Sequence, residues 1–146
     1  MSLILVISYR AFIRHNFNRY AYYKVGMEIP DDILPLLDND EKILFSVKQK
    51  RYRPAINIES IIITNKRIIF RKPFMMRLKK SYVDYSYGDI ANIIIDKGFS
   101  RSTIMLSLNI DANSLVIENI PNQLAQQAFQ IIRREVDNTK RPSKPA

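Results

Sequence analysis

The chain has no cysteine, one histidine and only three glycines in 146 residues. Without cysteine there are no disulfides and no thiolate metal sites, and the redox compartment cannot be inferred. A zinc or iron site built on His15 would need carboxylates for every other ligand, an uncommon donor set, so no metal or cofactor is expected. Three glycines exclude a glycine-rich phosphate loop and are few for a β-rich protein. Long apolar runs are missing too. Leu3, Ile4, Leu5, Val6 and Ile7 are too few to cross a bilayer, and no basic segment precedes them, so a signal peptide is not expected. The expected compartment is cytoplasmic.

What the chain does have is apolar bulk and unevenly placed charge. At 47% apolar residues it is long and hydrophobic enough for one core. Lys and Arg number 23 against 14 acids, a net charge of +9. Between Lys42 and Arg101 there are 14 bases against Glu59, Asp84, Asp89 and Asp96, whereas Glu28 to Glu41 carries six acids and no base. This asymmetry points to an anionic partner for the middle of the chain, or simply to a solubilising basic surface.

The chain divides into three parts. Residues 1–27 form an N-terminal extension with interleaved aromatics and bases. These suit either an interfacial helix or an appendage that packs on the domain or has no function. Residues 28–137 form the domain. Residues 138–146 (N-T-K-R-P-S-K-P-A) make a basic, proline-bearing tail expected to be disordered. Within the domain, Pro30 before Asp31 and Asp32 marks a short helix through Leu34 to Leu37.

From Glu41 the apolar period becomes two. Ile43, Phe45 and Val47 share a face of a first strand, and Ile56, Ile58 and Ile62 share one of a second. Residues 67–71 make a third strand and residues 81–86 a fourth. Residues 90–96 make a fifth, whose Ile93, Ile94 and Ile95 are expected to be buried on both faces. Ile104 to Ile110 alternates as a sixth, and Leu115 with Ile117 marks a seventh. Leu124, Ala125, Ala128, Phe129, Ile132 and Val136 then recur at helical spacing, with Pro121 at the start of the helix.

The sharpest local signal is Ile61 to Phe70, I-I-I-T-N-K-R-I-I-F. A two-residue turn at Asn65 and Lys66 pairs Ile63 with Ile68 and Ile61 with Phe70. Asn tolerates the left-handed backbone of such a turn. A rigid β framework carrying basic, partly apolar loops reads as a binding module.

Thr64-Asn65-Lys66-Arg67-Ile68-Ile69-Phe70 resembles the T-N-x-R-[IL]-[IL]-F hairpin of bacterial and archaeal pleckstrin-homology-like (PH-like) domains and the related GRAM domains. Tyr87-Gly88-Asp89-Ile90 resembles their Y-x-D-I element, Gly98 sits at their turn between strands five and six, and the acidic stretch Asp38 to Glu41 resembles their L-x-x-x-E lead-in. The resemblance spans residues 34–136. It implies a mainly β fold with one helix: a partly open, seven-stranded barrel of two packed antiparallel sheets, capped by a C-terminal amphipathic helix. It implies binding at the open end, where eukaryotic relatives often hold phosphoinositides.

Mapped through that resemblance, the loop between strands one and two holds Lys48, Lys50, Arg51 and Arg53. The loop between strands three and four holds Arg71, Lys72, Arg77, Lys79 and Lys80. Phe74, Met75 and Met76 form an apolar tip between the bases. They are candidates for membrane insertion, for partner contact, or for folding back onto the barrel. Arg51 and Arg53 only loosely imitate the alternating basic pair of phosphoinositide binders, Pro54 interrupts it, and Asp111 makes the third loop acidic. Diffuse attraction to anionic lipid headgroups is therefore expected rather than stereospecific recognition, with peripheral attachment to the inner face of the membrane. The alternative is a protein partner held in an apolar groove or along an edge of the barrel. Nucleic acid is not favoured: Tyr52 lies among bases, but no recognised nucleic-acid motif is present. No residue set pairs a nucleophile with a base, so no enzyme is expected.

Overall fold

A computed structural model describes residues 29–49, 58–74, 78–109 and 114–141. Seven strands follow one another: β1 (Ile43–Lys48), β2 (Ser60–Thr64), β3 (Arg67–Phe74), β4 (Lys79–Ser86), β5 (Ile90–Lys97), β6 (Arg101–Leu108) and β7 (Ser114–Pro121). Helix α1 (Asn122–Lys140) closes the chain. The strands form two antiparallel sheets, ordered β1-β2-β3-β4 and β5-β6-β7, that are not joined into a closed barrel. Their facing sides and one stripe of α1 share a core. Phe45, Ile61 and Phe70 come from the first sheet, Ile104, Leu106 and Ile117 from the second, and Ala125, Ala128, Ile132 and Val136 from the helix. Pro121 ends β7 and leads into α1 in an extended conformation, so the proline marks the switch of period. The helix runs on to Lys140, so Asn138, Thr139 and Lys140, expected in the tail, are helical.

The central strands of the first sheet, unlike the mostly exposed β4, are buried on both faces. The outer face of the sheet carries Ile43, Ile62 and Ile69, and Ile33 packs over them with Ile29, Leu34 and Leu37. Ile33 belongs to a 3-10 helix, Asp31–Leu36, interrupted by Pro35. Pro30 precedes it and Asp31 and Asp32 fill its first turn, as the sequence implies. This two-sided burial explains the unbroken isoleucines: Ile61, Ile62, Ile63, Ile68 and Ile69 are all fully buried. The expectation of two-sided burial fell on the wrong strand. Ile93 and Ile95 of β5 face the core side, but Ile94 is 43% exposed. It stands in a cross-strand row with Met105 and Val116 on the open outer face of the second sheet.

One bulge corrects a further face assignment, and a second shapes β7. Ile43 pairs with Thr64 but Phe45 with Ile63, so Leu44 is the extra residue. Ile43 thus turns to the outer cluster, while Phe45 and Val47 face the core. In β7, Asn119 has φ of 60° and, with Glu118, stands opposite a single residue of β6. A left-handed asparagine is sterically tolerable, and here it lets Ile117 and Ile120, three apart, both point inward and be fully buried. The second strand begins only at Ser60, so Ile58 lies ahead of it and is half-buried, Ile56 falls outside the described residues, and Ile62 lies in the outer cluster while Ile61 and Ile63 face the main core.

The β2–β3 hairpin has the expected register, Ile63 with Ile68 and Ile61 with Phe70. Its turn is held differently. Asn65 does not take positive φ. Instead Thr64 Oγ1 accepts hydrogen bonds from the backbone N–H of Lys66 (3.1 Å) and Arg67 (3.0 Å). Asn65 works sideways: its Oδ1 accepts from Lys42 N (2.8 Å) and its own N donates to Lys42 O (2.9 Å), so it prolongs the β1–β2 ladder.

Beneath this turn lies an ion pair with a buried carboxylate, Glu41, and a half-buried guanidinium, Arg67. Arg67 Nε and Nη2 each donate to the Glu41 carboxylate at 3.0 Å, Thr64 Oγ1 donates to it at 2.7 Å, and Asp38 N donates to it at 3.0 Å. Arg67 also reaches Leu36 O (2.8 Å) and Asp84, and the Tyr87 hydroxyl donates to Thr64 O. Burial alone would raise the Glu41 carboxyl, but hydrogen bonds from Arg67 and Thr64 outweigh it and hold the group below its ordinary value. Burial, and then the negative charges of Glu135 and Glu41, push the Tyr87 hydroxyl the other way, well above its ordinary value.

At the β5–β6 turn, Gly98 N donates to Arg101 O at 2.8 Å, and a Cβ on Gly98 would sit 2.8 Å from that same oxygen, so only glycine fits. Asn122 staples the turn to the start of α1 by donating to the carbonyls of Gly98 (3.0 Å) and Phe99 (3.2 Å).

Two contrasts test this arrangement in urea denaturation. Ile62→Ala should cost about 3 kcal/mol, as for a buried core residue, while Ile94→Ser should stay within about 0.5 kcal/mol of wild type. Arg67→Ala, which leaves Glu41 buried and unpaired, should cost about 3 kcal/mol or more. Glu41→Gln keeps hydrogen-bonding capacity and should cost about 1–2 kcal/mol.

Candidate functional site

The sequence assigns nine bases to two loops, and the structure redistributes them. Arg71, Lys72, Lys79 and Lys80 are strand residues, because β3 and β4 continue to the pairs Arg71–Tyr82, Lys72–Ser81, Pro73–Lys80 and Phe74–Lys79. Only residues 75–78 are left between the strands. Lys48 ends β1, and its row continues through Ser60 and Arg71 to Tyr82. The described bases are thus gathered at one end of the first sheet. Strand alternation divides them between its faces: Lys48, Arg71 and Lys80 on the outer side with Ile62 and Ile69, Lys72 and Lys79 on the inner side. Lys50, Arg51, Arg53, Met75, Met76 and Arg77 lie outside the described residues, as does the side chain of Phe74.

The sequence reading missed the counter-ions, which are brought in from elsewhere in the chain. Asp32, on the 3-10 helix, accepts from Arg71 Nε (2.8 Å) and from the Tyr82 hydroxyl, and lies 3.6 Å from Lys80 Nζ. Its carboxyl would be raised by burial, but hydrogen bonds from Arg71 and Tyr82 and the charge of Arg71 hold it down at about 2. Glu59 lies 3.2 Å from Lys72 Nζ. It is locked to Gln49 on both sides: Gln49 Nε2 donates to its carboxylate (3.2 Å), and Glu59 N donates back to Gln49 Oε1 (3.2 Å). This clamp closes the base of the β1–β2 connection. The one available signal for Asp32 was its place at the head of the apolar run Ile33-Leu34-Pro35-Leu36-Leu37, which had to be buried against something.

Among the described residues, Asp32 and Glu59 pair with Arg71, Lys80 and Lys72, three of the bases gathered at this end of the sheet. Lys72 and Lys79 are exposed, and no ion pair is recorded for Lys79 among the described residues. Fixed cations of this kind attract and hold anionic oxygens. Among the described residues no cluster of His, Asp and Glu is arranged to hold a metal ion, and no helix is long and apolar enough to cross a membrane.

A second concavity, unforeseen in the sequence, lies between β5 and α1. It holds about 300 Å³ and is bounded by Ile90 to Ile93 on one wall and by Phe129, Arg133, Val136, Asp137 and Lys140 on the other.

Two sheets of four and three strands, a C-terminal helix across the core and a charged sheet end define a PH-like binding module. The family model of the bacterial PH domain matches residues 37–134, more than half of the chain, and the chain belongs to that family. Among solved structures, a PH domain from Shewanella amazonensis is similar at 18% identity and a TM-score of 0.58, covering 77% of this chain and 93% of its own. A DUF1696 family protein with a PH domain from Shewanella loihica is similar at 16% identity and a TM-score of 0.55, covering 77% and 94%. The Vps36 N-terminal PH domain gives 18%, 0.52, 77% and 92%. These likenesses are of fold. No curated protein matches the chain.

The low Asp32 value carries a pH dependence. A carboxylate whose folded pKa is depressed contributes stability that is complete above its unfolded pKa, near 4, and is lost as pH falls towards the folded value. Unfolding free energy should therefore fall between about pH 5 and pH 2, by on the order of 1 kcal/mol for Asp32 alone once solvent screening of its ion pairs is allowed for. Asp32→Asn should lower stability at pH 7 and flatten this part of the profile.

Proposed function

We propose that the protein is a non-enzymatic PH-like module that attaches peripherally to anionic membrane lipid, at the cytoplasmic face, through the basic end of its first sheet. The observation that carries this reading is the gathering of Arg71, Lys72, Lys79 and Lys80, beside Lys48, at one sheet end, where Asp32 and Glu59 pair with Arg71, Lys80 and Lys72 among the described residues. Lys50, Arg51, Arg53 and Arg77 add four charges from the adjoining segments and no acid. Each base close to an anionic surface is worth about 1 kcal/mol, fading within a Debye length. Phe74, Met75 and Met76 supply apolar side chains between the bases for shallow insertion. Division of the bases between two faces supports a broad electrostatic contact rather than a stereospecific headgroup pocket.

Co-sedimentation with vesicles of rising anionic lipid content tests this. Bound fraction should climb with anionic content and fall as salt is raised. Lys50→Glu/Arg51→Glu and Lys72→Glu/Lys79→Glu should each weaken binding by about tenfold or more. Asp32→Asn, which releases Arg71 and Lys80 from their counter-ion, should strengthen it. No binding at low salt would overturn the membrane reading.

A further inference from the structure

Among the described residues, two large apolar side chains stand almost wholly in water. Leu78 is 84% exposed and Phe99 fully exposed, whereas the other exposed ones stop at 43%. The two occupy matching places. Leu78 immediately precedes β4, which runs into the crossing at Tyr87, and Phe99 follows β5, which runs out of it. Each strand is eight residues long, so each turn lies about 26 Å along its strand from that crossing. Leu78 and Phe99 are therefore the feet of two legs that belong to different sheets and meet at Tyr87. Helix α1 follows the second leg: Asn122, at its start, is bonded to the β5–β6 turn, and Thr139, near its end, lies beside Gly88. Strand β6 returns to the apex, where Asn109 N donates to Asp89 O (2.8 Å) and Asn109 Nδ2 to Gly88 O (2.9 Å).

The turn that carries Phe99 is held firmly. Besides the bond from Gly98 N to Arg101 O, Asn122 commits its whole side chain to it: Nδ2 donates to the Gly98 and Phe99 carbonyls, and Oδ1 accepts from Ser102 Oγ at 2.7 Å. Asn122 N donates to Ser100 O at 3.3 Å. Burying a phenylalanine is worth about 1.5–3 kcal/mol, a gain that this turn forgoes within the molecule and leaves for a partner. Charge selects that partner. Arg77 and Lys79 bracket Leu78, and Lys97 and Arg101 bracket Gly98-Phe99-Ser100. Asp96, the nearest acid in sequence to Phe99, pairs with Thr103 across the sheet and shares the outer face with it. Two apolar tips on different sheets, each between bases, suit a broad anionic surface with an apolar layer just beneath it, rather than a single pocket. We infer that Leu78 and Phe99 are paired anchors that enter the headgroup region of an anionic bilayer together, with the Tyr87 apex turned away from it. This rests on the membrane attachment proposed above and adds an orientation to it. Contact through the end of the first sheet alone leaves the domain free to pivot, and a second foot removes that freedom.

The chain contains no tryptophan, so Leu78→Trp, Phe99→Trp and Ile94→Trp each introduce a single fluorescent reporter. The probe is a vesicle of mixed phosphatidylglycerol and phosphatidylcholine. On binding, emission from positions 78 and 99 should shift to the blue and be quenched by lipids brominated in the acyl chains. The reporter at position 94, on the outer face of the second sheet, should show neither change. Phe99→Ser should weaken binding about fivefold and leave the urea midpoint where it was, because the side chain it removes touches only water. Two results separate this inference from the reading on which it rests. If the chain binds vesicles while the reporter at either foot stays in water, or if Phe99→Ser binds as tightly as wild type, the two-footed seating is overturned and membrane attachment stands. If wild type fails to bind at low salt, both are overturned.

Discussion

The buried pair of Glu41 and Arg67 is the constraint around which the first sheet is organised. Four donors converge on the Glu41 carboxylate, from Arg67 (twice), Thr64 and the backbone of Asp38. The pair therefore fixes the approach to β1, the β2–β3 turn and, through Asp84, the strand beyond. Tyr87, at the crossing to the second sheet, is tied to the same turn through Thr64 O. A buried charge pair is a poor source of net stability, because desolvation consumes most of the Coulombic gain. Its value here is positional. Any other arrangement of these segments would leave a carboxylate or a guanidinium unpartnered in the interior.

This explains why the short patterns that looked like family signatures are so widely separated in the chain. The lead-in acid, the T-N-x-R turn and the tyrosine before β5 are parts of one hydrogen-bonded knot. Their register was legible because it is local: Ile63 opposite Ile68 follows from two β-branched runs and a two-residue turn. The mechanism of that turn was not. Thr64 and Asn65 spend their side chains on bonds to Glu41 and Lys42, some 23 residues away, and alternation cannot show that.

The same division holds elsewhere. Seven strands and a terminal helix followed from periodicity, and the core stripe of α1 was read correctly at Ala125, Ala128, Ile132 and Val136. Period counting failed at the bulges. One extra residue at Leu44 turns Ile43 to the opposite face from Phe45, and Asn119 lets two inward isoleucines stand three apart. It failed as well at the isoleucine runs: Ile61 to Ile63 and Ile93 to Ile95 look alike, but among the described residues the first lies under a second cover, supplied by Ile33, and the second does not. The candidate basic site was legible as a set of cations and illegible as an electrostatic balance, because Asp32 arrives from 39 residues upstream of Arg71.

The cover over the outer face has a consequence for where the working unit begins. The family match starts at residue 37, yet Ile33 seals Ile62 and Ile69, and Asp32 neutralises Arg71 and Lys80, from just ahead of that point. The stretch that the family model spans is thus narrower than the stretch that folds. A chain trimmed to the shared part would keep its central knot, bare a strip of isoleucine to water and gain positive charge beside it. Eight residues ahead of the matched stretch, from Ile29 to Leu36, separate a sheet that stays closed to its neighbours from one inclined to stick to them.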